Sequence, residues 1–239
     1  MGGFLKSGLV FSNSRSTIDA PVKPNMSPGT VVLITGCSSG FGLLMAETLA
    51  RKNYHVFATM RAVDGRNAKT ARAFRTLAER ESLHLDVLEL DVTDNASVER
   101  AVDVVIAQKD RIDVLINNAG CGLSGLVEAC TLKQAQRIFD TNFFNAVRMN
   151  RAVLPHMRRH RSGLLVHISS GAGRVPMPGG GLYSASKFAL EALAEAYRYE
   201  LASQGIDSVI VEPGPFVTPI FQKQEQAVDM LRSCSCSVQ

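Results

Sequence analysis

Three residues late in the chain have the types and spacing that acid–base chemistry on a carbon–oxygen bond requires. Tyr183 and Lys187 lie four residues apart, so they project from one face if this segment is helical. A nearby ammonium favours a phenolate, and we therefore expect the pKa of Tyr183 to fall below its usual value of about 10. Ser170 ends a predicted strand and would offer a hydroxyl to the same alcohol or carbonyl oxygen. Taken by itself, the Tyr–Lys pair has an alternative interpretation as an ordinary surface contact. The surrounding elements must decide between the two interpretations.

The composition predicts one folded α/β domain and points away from several other classes of protein. The chain has 239 residues, of which 46% are hydrophobic, enough for a sizeable core. Its net charge of +4 is spread without a basic face rich in aromatics, so we expect no nucleic acid partner. The five cysteines lack the spacing of a disulfide framework or a zinc site, which favours a reducing compartment and no bound metal. No apolar run reaches the length of a transmembrane helix.

The sequence divides into three segments. Residues 1–26 lack a periodic pattern and are expected to form a loose extension, residues 27–221 the folded domain, and residues 222–239 a short atypical tail. Lys6 and Arg15 give the extension a faint likeness to a transit peptide, but we do not expect organelle targeting. The predicted location is the cytoplasm, with a peripheral membrane contact as the alternative.

A strand, a glycine-rich turn and a helix follow one another at the start of the domain. The apolar run at residues 31–34 predicts a strand buried on both faces, and residues 43–50 predict an amphipathic helix. Glycines spaced in this way make a tight turn that brings backbone close to a pyrophosphate at the helix N-terminus. The predicted dinucleotide contacts in this turn are Gly36, Ser38, Ser39, Gly40, Phe41 and Gly42.

The end of the second strand predicts which dinucleotide binds. The strand at residues 54–59 leads into Arg61, with no acid at its end. An acid there would bind the ribose hydroxyls of NAD(H), whereas a base accommodates a 2′-phosphate. We therefore expect NADP(H) to be preferred. NAD(H) is the alternative, in which Arg61 is a plain surface residue.

Two further strand ends supply candidate cofactor contacts. Asp91 and Val92 follow the third predicted strand, where an adenine would lie. Small and amide side chains follow the fourth strand and leave room for a ribose and a nicotinamide. These residues are Asn118, Ala119 and Gly120.

Six predicted strands alternate with helices, a pattern typical of a doubly wound parallel sheet of Rossmann type in a single domain. The strands are predicted at residues 31–34, 54–59, 83–90, 112–116, 163–170 and 208–212. The helices are predicted at residues 43–50, 67–81, 95–109 with Asp94 as its N-cap, 132–159 and 183–203. The apolar side chains of the last helix indicate either core packing or a subunit contact, which leaves a homodimer or homotetramer open.

From about residue 30 to residue 220 the chain resembles the classical short-chain dehydrogenase/reductase family. The matching motifs occur in the family's order: Thr35-Gly36-x-x-x-Gly40-x-Gly42, Asn117-Asn118-Ala119-Gly120, Asn142, Ser170, Tyr183-x-x-x-Lys187 and Pro213-Gly214. Residues 58–61, 140–144 and 211–215 are similar to the branch that contains estrogenic 17β-hydroxysteroid dehydrogenase and photoreceptor retinol dehydrogenase.

The resemblance implies a role for each residue of the catalytic set. Tyr183 would be the general acid and base, and Lys187 would lower its pKa and hold the nicotinamide ribose. Ser170 would bind the substrate oxygen, and Asn142 would position a water in a proton relay to Lys187. The implied substrate is a small apolar alcohol or carbonyl compound, steroid-like or retinoid-like. Further cofactor contacts are expected from Pro213, Gly214 and Thr218.

The choice of serine depends on the family's spacing. Ser169 precedes Ser170, and neighbours on a strand face opposite ways, so only one of them can point into the site. The family's usual separation from the tyrosine selects Ser170.

The chain departs from the resemblance after Gly214. The family continues with a substrate-covering segment, a further helix and a seventh strand, whereas 25 residues follow Gly214 here. We therefore expect the last family strand to be lacking, the sixth strand to form an exposed edge, and the substrate cover to be shortened. The two main hypotheses are an NADP(H)-dependent oxidoreductase and a catalytically weak or silent NADP-binding regulatory protein. A sugar-nucleotide epimerase would need a larger carboxyl-terminal domain.

Overall fold

The structure is a computed structural model that describes residues 27–214 and 225–227. The strands within these residues are β1 (Val31–Ile34), β2 (His55–Met60), β3 (Leu85–Glu89), β4 (Val114–Asn117), β5 (Leu123–Ser124), β6 (Gly163–Ile168), β7 (Ile206–Val211) and β8 (Glu225–Gln226). The α-helices are α1 (Gly40–Arg51), α2 (Ala68–Glu81), α3 (Asn95–Lys109), α4 (Leu132–Phe139), α5 (Asn145–His160) and α6 (Gly181–Leu201).

Six of the described strands form one parallel sheet in the order β3-β2-β1-β4-β6-β7. The order reverses beside β1, because Ile34 pairs with Ala58 of β2 on one side and with Ile116 of β4 on the other. Ligands of doubly wound sheets bind in the crevice that opens at such a reversal, outside the carboxyl ends of the strands. The predicted doubly wound parallel sheet is confirmed.

Both faces of the sheet are covered by helices. Leu33 packs into a cluster that includes Met149 of α5, and Ile34 packs into a second cluster that includes Phe74 of α2. All four residues of β1 are buried, which is the physical reason for its continuous apolar run. Each fully buried large side chain contributes roughly 1.5–3 kcal/mol to the free energy of unfolding, so these two layers hold the strand ends in place.

Most predicted elements are confirmed, with differences at their ends. The bounds of β1 and α3 agree with the prediction, whereas the helix predicted at 132–159 is divided into α4 and α5 by a π-helical turn at Asp140–Phe144. The β5 and β8 strands pair with each other and were not predicted, because a two-residue strand carries no period.

Several predictions concern the chain ends. Within the described residues β7 forms an edge of the sheet, as predicted, with Val209 and Val211 exposed. The loose extension at residues 1–26, the domain boundary at residue 221 and most of the tail at residues 222–239 lie outside the described residues.

Helix α3 begins at a side-chain cap. Asp94 has extended backbone, and its carboxylate accepts the N–H of Ala96 at 3.1 Å. A cap of this kind satisfies one of the first backbone donors of a helix and places a negative charge at the positive end of the helix dipole. The predicted N-cap is confirmed.

Replacing Asp94 by Ala should lower the free energy of unfolding by about 1 kcal/mol, because Ala cannot accept that hydrogen bond. Chemical denaturation of the purified protein measures the change. The Asp103→Ala variant, at an exposed position inside the same helix, removes an equal charge and should change stability by less than about 0.5 kcal/mol. Equal losses in the two variants would contradict the capping role.

Candidate active site

The glycine turn after β1 packs directly against the start of α1. Gly36 and Gly40 have φ values of +75° and +60°, in the left-handed region that favours glycine. A Cβ at Gly42 would lie 2.4 Å from the Gly36 carbonyl oxygen, so only glycine permits this approach of helix and turn. The side chain of Ser39, the N-cap residue, makes no capping hydrogen bond, and the first turn of α1 contains no acid. This helix N-terminus therefore suits an anion.

Side-chain hydrogen bonds tie the glycine turn to the end of β4. The Thr35 hydroxyl accepts the N–H groups of Asn118 at 3.0 Å and Ala119 at 2.9 Å. The Asn118 amide donates to the carbonyls of Thr35 at 2.8 Å and Gly36 at 3.2 Å. These contacts join two strand ends at the crevice.

A cleft of about 530 Å³ opens at these strand ends. Most predicted site residues line it: Gly36, Ser38, Ser39, Gly40, Phe41, Arg61, Val92, Asn118, Ala119, Gly120, Ser170, Tyr183, Lys187, Pro213 and Gly214. Among the described residues, the predicted Gly42, Asp91 and Asn142 are not part of the lining. Thr218 lies outside the described residues.

Other lining residues were not predicted as site residues from the sequence. They are Met60, Arg66, Asn67, Leu90, Thr93, Cys121, Gly122, Arg137, Thr141, Ile168 and Ser169. Most of them are close in sequence to a predicted residue. This closeness in sequence is the signal from which they could have been predicted. Arg66, Asn67 and Arg137 have no such neighbour, and tertiary folding alone brings them to the cleft.

The loop after β2 carries two cations of the lining, Arg61 and Arg66. The acid absent from the end of β2 comes from the neighbouring strand, where Glu89 pairs with Met60. The Glu89 carboxylate accepts the N–H groups of Ala62 at 2.9 Å and Val63 at 3.0 Å. Glu89 therefore shapes the loop that presents both arginines.

The carboxylate of Asp91 is engaged by protein groups beside the cleft. It accepts the Thr93 N–H at 3.0 Å and the Thr93 hydroxyl at 2.7 Å, and lies 3.7 Å from Arg61. Burial acts to raise the pKa of Asp91, but the hydrogen bonds from Thr93 and the charge of Arg61 outweigh it and hold the pKa below its usual range. In the structure Asp91 forms an ion pair with Arg61, and its contact with a cofactor stays a prediction.

Helix α6 and the end of β6 bring the three residues of the predicted chemistry together. Tyr183 and Lys187 share a face of α6, with the Lys187 Nζ 5.8 Å from the centroid of the Tyr183 ring. The hydroxyl of Ser170 lies close enough to the Tyr183 phenol to act on its pKa, and it accepts the Ala172 N–H at 3.2 Å. A phenol, an ammonium and a hydroxyl therefore meet at one end of the cleft.

The neighbouring serine points the other way. The Ser169 hydroxyl donates to Oε1 of Glu191 at 2.5 Å, inside the protein. Ser170 is therefore the serine whose hydroxyl reaches the phenol, as the alternation of an extended strand requires.

The pKa of Tyr183 differs from the sequence-based expectation. Burial raises the pKa of the phenol, against the hydrogen bond with Ser170. Burial also lowers the pKa of Lys187 to about 8, against the charges of Cys121 and Glu191. The expected depression of the Tyr183 pKa by Lys187 is wrong for this geometry, because the ammonium is bonded to the Ile168 carbonyl at 2.9 Å and removal from water disfavours both charged forms.

Asn142 lies in the π-helical turn between α4 and α5, a feature frequent at functional sites. Its side-chain nitrogen donates to the Cys121 carbonyl and to the Ser186 hydroxyl, each at 3.0 Å, and its oxygen accepts the Cys121 N–H at 2.8 Å. Both amide hydrogens are thus used in joining the segment after β4 to α6. The relay role implied by the resemblance stays a prediction, and a relay water would have to bind other atoms of Asn142 than this nitrogen.

Comparison with known proteins agrees with this geometry. The family model for the short chain dehydrogenases matches residues 30–229. The chain belongs to the short-chain dehydrogenase family. Human retinol dehydrogenase 8 is 43% identical over 202 residues, which cover 83% of this chain and 63% of the relative. Human 17-beta-hydroxysteroid dehydrogenase type 1 is 40% identical over 199 residues, 81% of this chain and 59% of the relative. The chain thus spans about three fifths of the length of these curated relatives.

Solved structures of other proteins share the fold of this short-chain dehydrogenase. A short-chain dehydrogenase from Streptomyces avermitilis has a TM-score of 0.73 and 37% identity over 83% of this chain and 71% of its own. ElxO, solved with NADP bound, has a TM-score of 0.74 and 27% identity over 86% and 90%. A family member from Burkholderia phymatum, in complex with NAD, has a TM-score of 0.76 and 26% identity over 82% and 69%. The predicted family and fold are confirmed.

Two features are absent from the described residues of this short-chain dehydrogenase. None of their helices combines the length and the apolar character that crossing a bilayer takes. The same residues contain no group of three or more side chains able to hold a metal ion.

Replacing Lys187 by Met should make the difference in stability from the wild type depend on pH. The pKa of Lys187 is about 8 in the folded protein, below the ordinary value of 10.5, so the unfolded chain binds more protons between these values and wild-type stability rises with pH there. From about pH 7 to about pH 9.5, the wild type should gain about 2 kcal/mol over Lys187→Met. Denaturation with urea at several pH values measures the difference, and a constant difference would contradict the buried ammonium. The Lys52→Met variant, at an exposed site, controls for loss of a positive charge.

Proposed function

We propose that this short-chain dehydrogenase is an NADP(H)-dependent oxidoreductase that interconverts an alcohol and a ketone or aldehyde. The observation that carries the proposal is the meeting of Ser170, Tyr183 and Lys187 at one end of a cleft whose other part is lined by the glycine turn. These three groups can bind a substrate oxygen and move a proton. They face the part of the cleft where a family member would hold its dinucleotide.

The residues of the cleft fit a nicotinamide dinucleotide. The close packing at Gly36 and Gly42 leaves the uncapped start of α1 at the cleft, which suits the negative charge of a pyrophosphate. The small residues Ala119 and Gly120 line the cleft between the glycine turn and Lys187. ElxO was solved with NADP and the Burkholderia phymatum protein with NAD, which supports a cofactor of this class.

Reduction of a carbonyl group by these residues needs a proton donor and a means of holding the oxygen. The bound nicotinamide would supply the hydride to the carbonyl carbon. Ser170 would donate a hydrogen bond to the substrate oxygen, and Tyr183 would transfer its phenolic proton to that oxygen. The pKa of Tyr183 is raised by burial, so the phenol holds its proton until the oxygen becomes basic. The Lys187 ammonium would stabilise the phenolate that remains, and oxidation of the alcohol is the reverse sequence.

The preference for NADP(H) is supported by the charges at the other end of the cleft. Arg61 and Arg66 are both exposed and line the cleft, on a loop held by the Glu89 carboxylate. A guanidinium pairs well with a phosphate, because its fork of N–H donors matches the phosphate oxygens. A second cation beside Arg61 strengthens the case for a 2′-phosphate.

The proposed substrate is a small apolar alcohol or carbonyl compound. Two relatives are named for a retinol and for a hydroxysteroid, which supports this class for the whole protein. Cys121, Gly122 and Ile168 line the catalytic end with small or apolar groups. Arg137 lies at the same end, but its charge is paired with Glu225 at 2.8 Å.

An exposed apolar side chain and three free thiols bear on the assembly and the location of the protein. The partly exposed Phe188 on α6 supports a subunit contact in a homodimer or homotetramer. The free thiols of Cys37, Cys121 and Cys130 support a reducing compartment, and we propose the cytoplasm or the periphery of a membrane facing it.

Replacing Tyr183 by Phe should abolish reduction of aromatic, retinoid and steroid carbonyl compounds while NADPH still binds, because only the proton donor is lost. Turnover is followed by NADPH absorbance and binding by NADPH fluorescence. Tyr199→Phe, at a position 67% exposed, removes a hydroxyl remote from the chemistry and should retain wild-type turnover. Unchanged turnover in Tyr183→Phe would remove Tyr183 from its role. A wild type that binds NADPH but reduces no carbonyl compound would favour the alternative of a catalytically silent NADP-binding regulatory protein.

Replacing Arg61 by Ala should weaken NADPH binding roughly 10-fold or more and change NADH binding little, since only NADPH carries the 2′-phosphate. The ratio of the two dissociation constants, measured by fluorescence titration, reports the effect. Arg72→Ala, at an exposed position on α2, removes an equal charge away from the cleft lining. Equal weakening of both cofactors in Arg61→Ala would refute the specific role.

A further inference from the structure

The carboxylate of Glu191 is buried behind the catalytic end of the cleft. Glu191 is 4% exposed and follows Lys187 by four residues and Tyr183 by eight on α6, so the three share one helix face. Burying a carboxylate costs free energy unless hydrogen bonds and opposite charges compensate. The partners of Glu191 therefore indicate what the buried charge does.

One carboxylate oxygen holds the end of β6. The Ser169 hydroxyl donates to Oε1 of Glu191 at 2.5 Å. Ser169 lies between Ile168, whose carbonyl accepts a hydrogen bond from the Lys187 ammonium at 2.9 Å, and Ser170, whose hydroxyl interacts with the Tyr183 phenol. Neighbouring residues of an extended strand face opposite ways, so fixing the Ser169 side chain on one side turns Ser170 to the other.

The second oxygen joins the helix to the end of β7. The Nε of Arg174 lies 2.8 Å from Oε2 of Glu191 and 2.8 Å from Oε1 of Glu212. The single hydrogen on this nitrogen donates to Glu212, so the contact with Glu191 is an ion pair. Glu212 immediately precedes Pro213 and Gly214, which line the cleft.

Gly173 leaves the space that the carboxylate fills. A Cβ at this position would lie 2.1 Å from Oε1 of Glu191 and 2.6 Å from the Ser169 hydroxyl. Glycine at 173 is therefore what allows Glu191 and Ser169 to meet. The Glu191 carboxylate on α6 thus contacts Ser169 at the end of β6 and is linked through Arg174 to Glu212 at the end of β7, and each of these three elements carries or adjoins a residue of the candidate active site.

We propose that Glu191 is a positioning residue that acts through Ser169 and Arg174 to hold the end of β6, and with it Ser170 and Lys187, in the geometry for catalysis. This inference rests on the proposed oxidoreductase function for its kinetic consequence. Its structural consequence, the placement of the β6 end, is independent of any turnover.

Glu191 also acts on Lys187 by its charge. Burial lowers the pKa of Lys187 to about 8, and the charges of Cys121 and Glu191 oppose that effect. The titratable groups around Lys187 are Cys121 from the segment after β4, and Tyr183 and Glu191 from its own helix. Removing the Glu191 charge should therefore let Lys187 lose its proton at a lower pH.

Two variants separate the positioning effect of Glu191 from the effect of its charge on Lys187. Ser169→Ala deletes the hydrogen bond and keeps the carboxylate charge, whereas Glu191→Gln keeps an oxygen acceptor and deletes the charge. Each should lower kcat for carbonyl reduction with NADPH roughly 10- to 100-fold, the effect of a small displacement of reacting groups, while the Kd for NADPH changes less than about 2-fold. The alkaline limit of kcat should move to lower pH in Glu191→Gln and stay in place in Ser169→Ala. Glu200→Gln, an exposed acid near the end of the same helix, is the matched control and should behave as the wild type.

Crystal structures of Ser169→Ala, Glu191→Gln and the wild type give the second readout. The proposal expects the Lys187 contact with the Ile168 carbonyl, or the Ser170 contact with Tyr183, to be lengthened or lost in at least one variant. Folded variants that keep both contacts and the wild-type kcat would overturn the proposal. If the wild type itself reduces no carbonyl compound, the proposed function fails, and the crystal structures still decide whether Glu191 positions the strand end.

Discussion

The burial of the Lys187 ammonium is the constraint on which the catalytic end of the molecule depends. Lys187 is 4% exposed, and the Ile168 carbonyl takes the place of water at 2.9 Å. A buried charge of this kind must be compensated by hydrogen bonds and opposite charges. The compensation comes from Ile168, the last residue of β6, two residues before Ser170, so the contact that satisfies the lysine also sets the distance between α6 and the end of β6.

The same burial determines the protonation of the site. Removal from water raises the pKa of Tyr183 and lowers that of Lys187 to about 8, because both charged forms lose hydration. At neutral pH the site therefore holds a protonated phenol beside an ammonium that gives up its proton in mildly alkaline solution. This state suits the proposed transfer of a proton to a carbonyl oxygen as that oxygen gains negative charge.

The two ends of the cleft are built by the same means, a side chain from one element holding the backbone of another. Thr35 holds the segment after β4 at the glycine turn, and Glu89 holds the loop that carries Arg61. At the catalytic end, Gln134 of α4 donates to the Gln226 carbonyl at 2.9 Å and so ties β8 to α4. These contacts join residues far apart in the chain, so the shape of the cleft depends on the tertiary fold.

The sequence by itself determined the succession of sheet strands and helices along the chain, the bounds of β1 and α3, the glycine turn and the tyrosine–lysine spacing. These features are local, because they follow from apolar period, capping and turn chemistry. The alternation of a strand allowed only one of Ser169 and Ser170 to face the site, and the family's spacing from the tyrosine selected Ser170. Only the tertiary structure decided that Glu89 supplies an acid beside β2, that a π-helical turn carries Asn142, and that Glu191 backs the catalytic strand. It also reversed the expected direction of the Tyr183 pKa. Burial and contacts between residues far apart in the chain produce these features, and no local pattern encodes either.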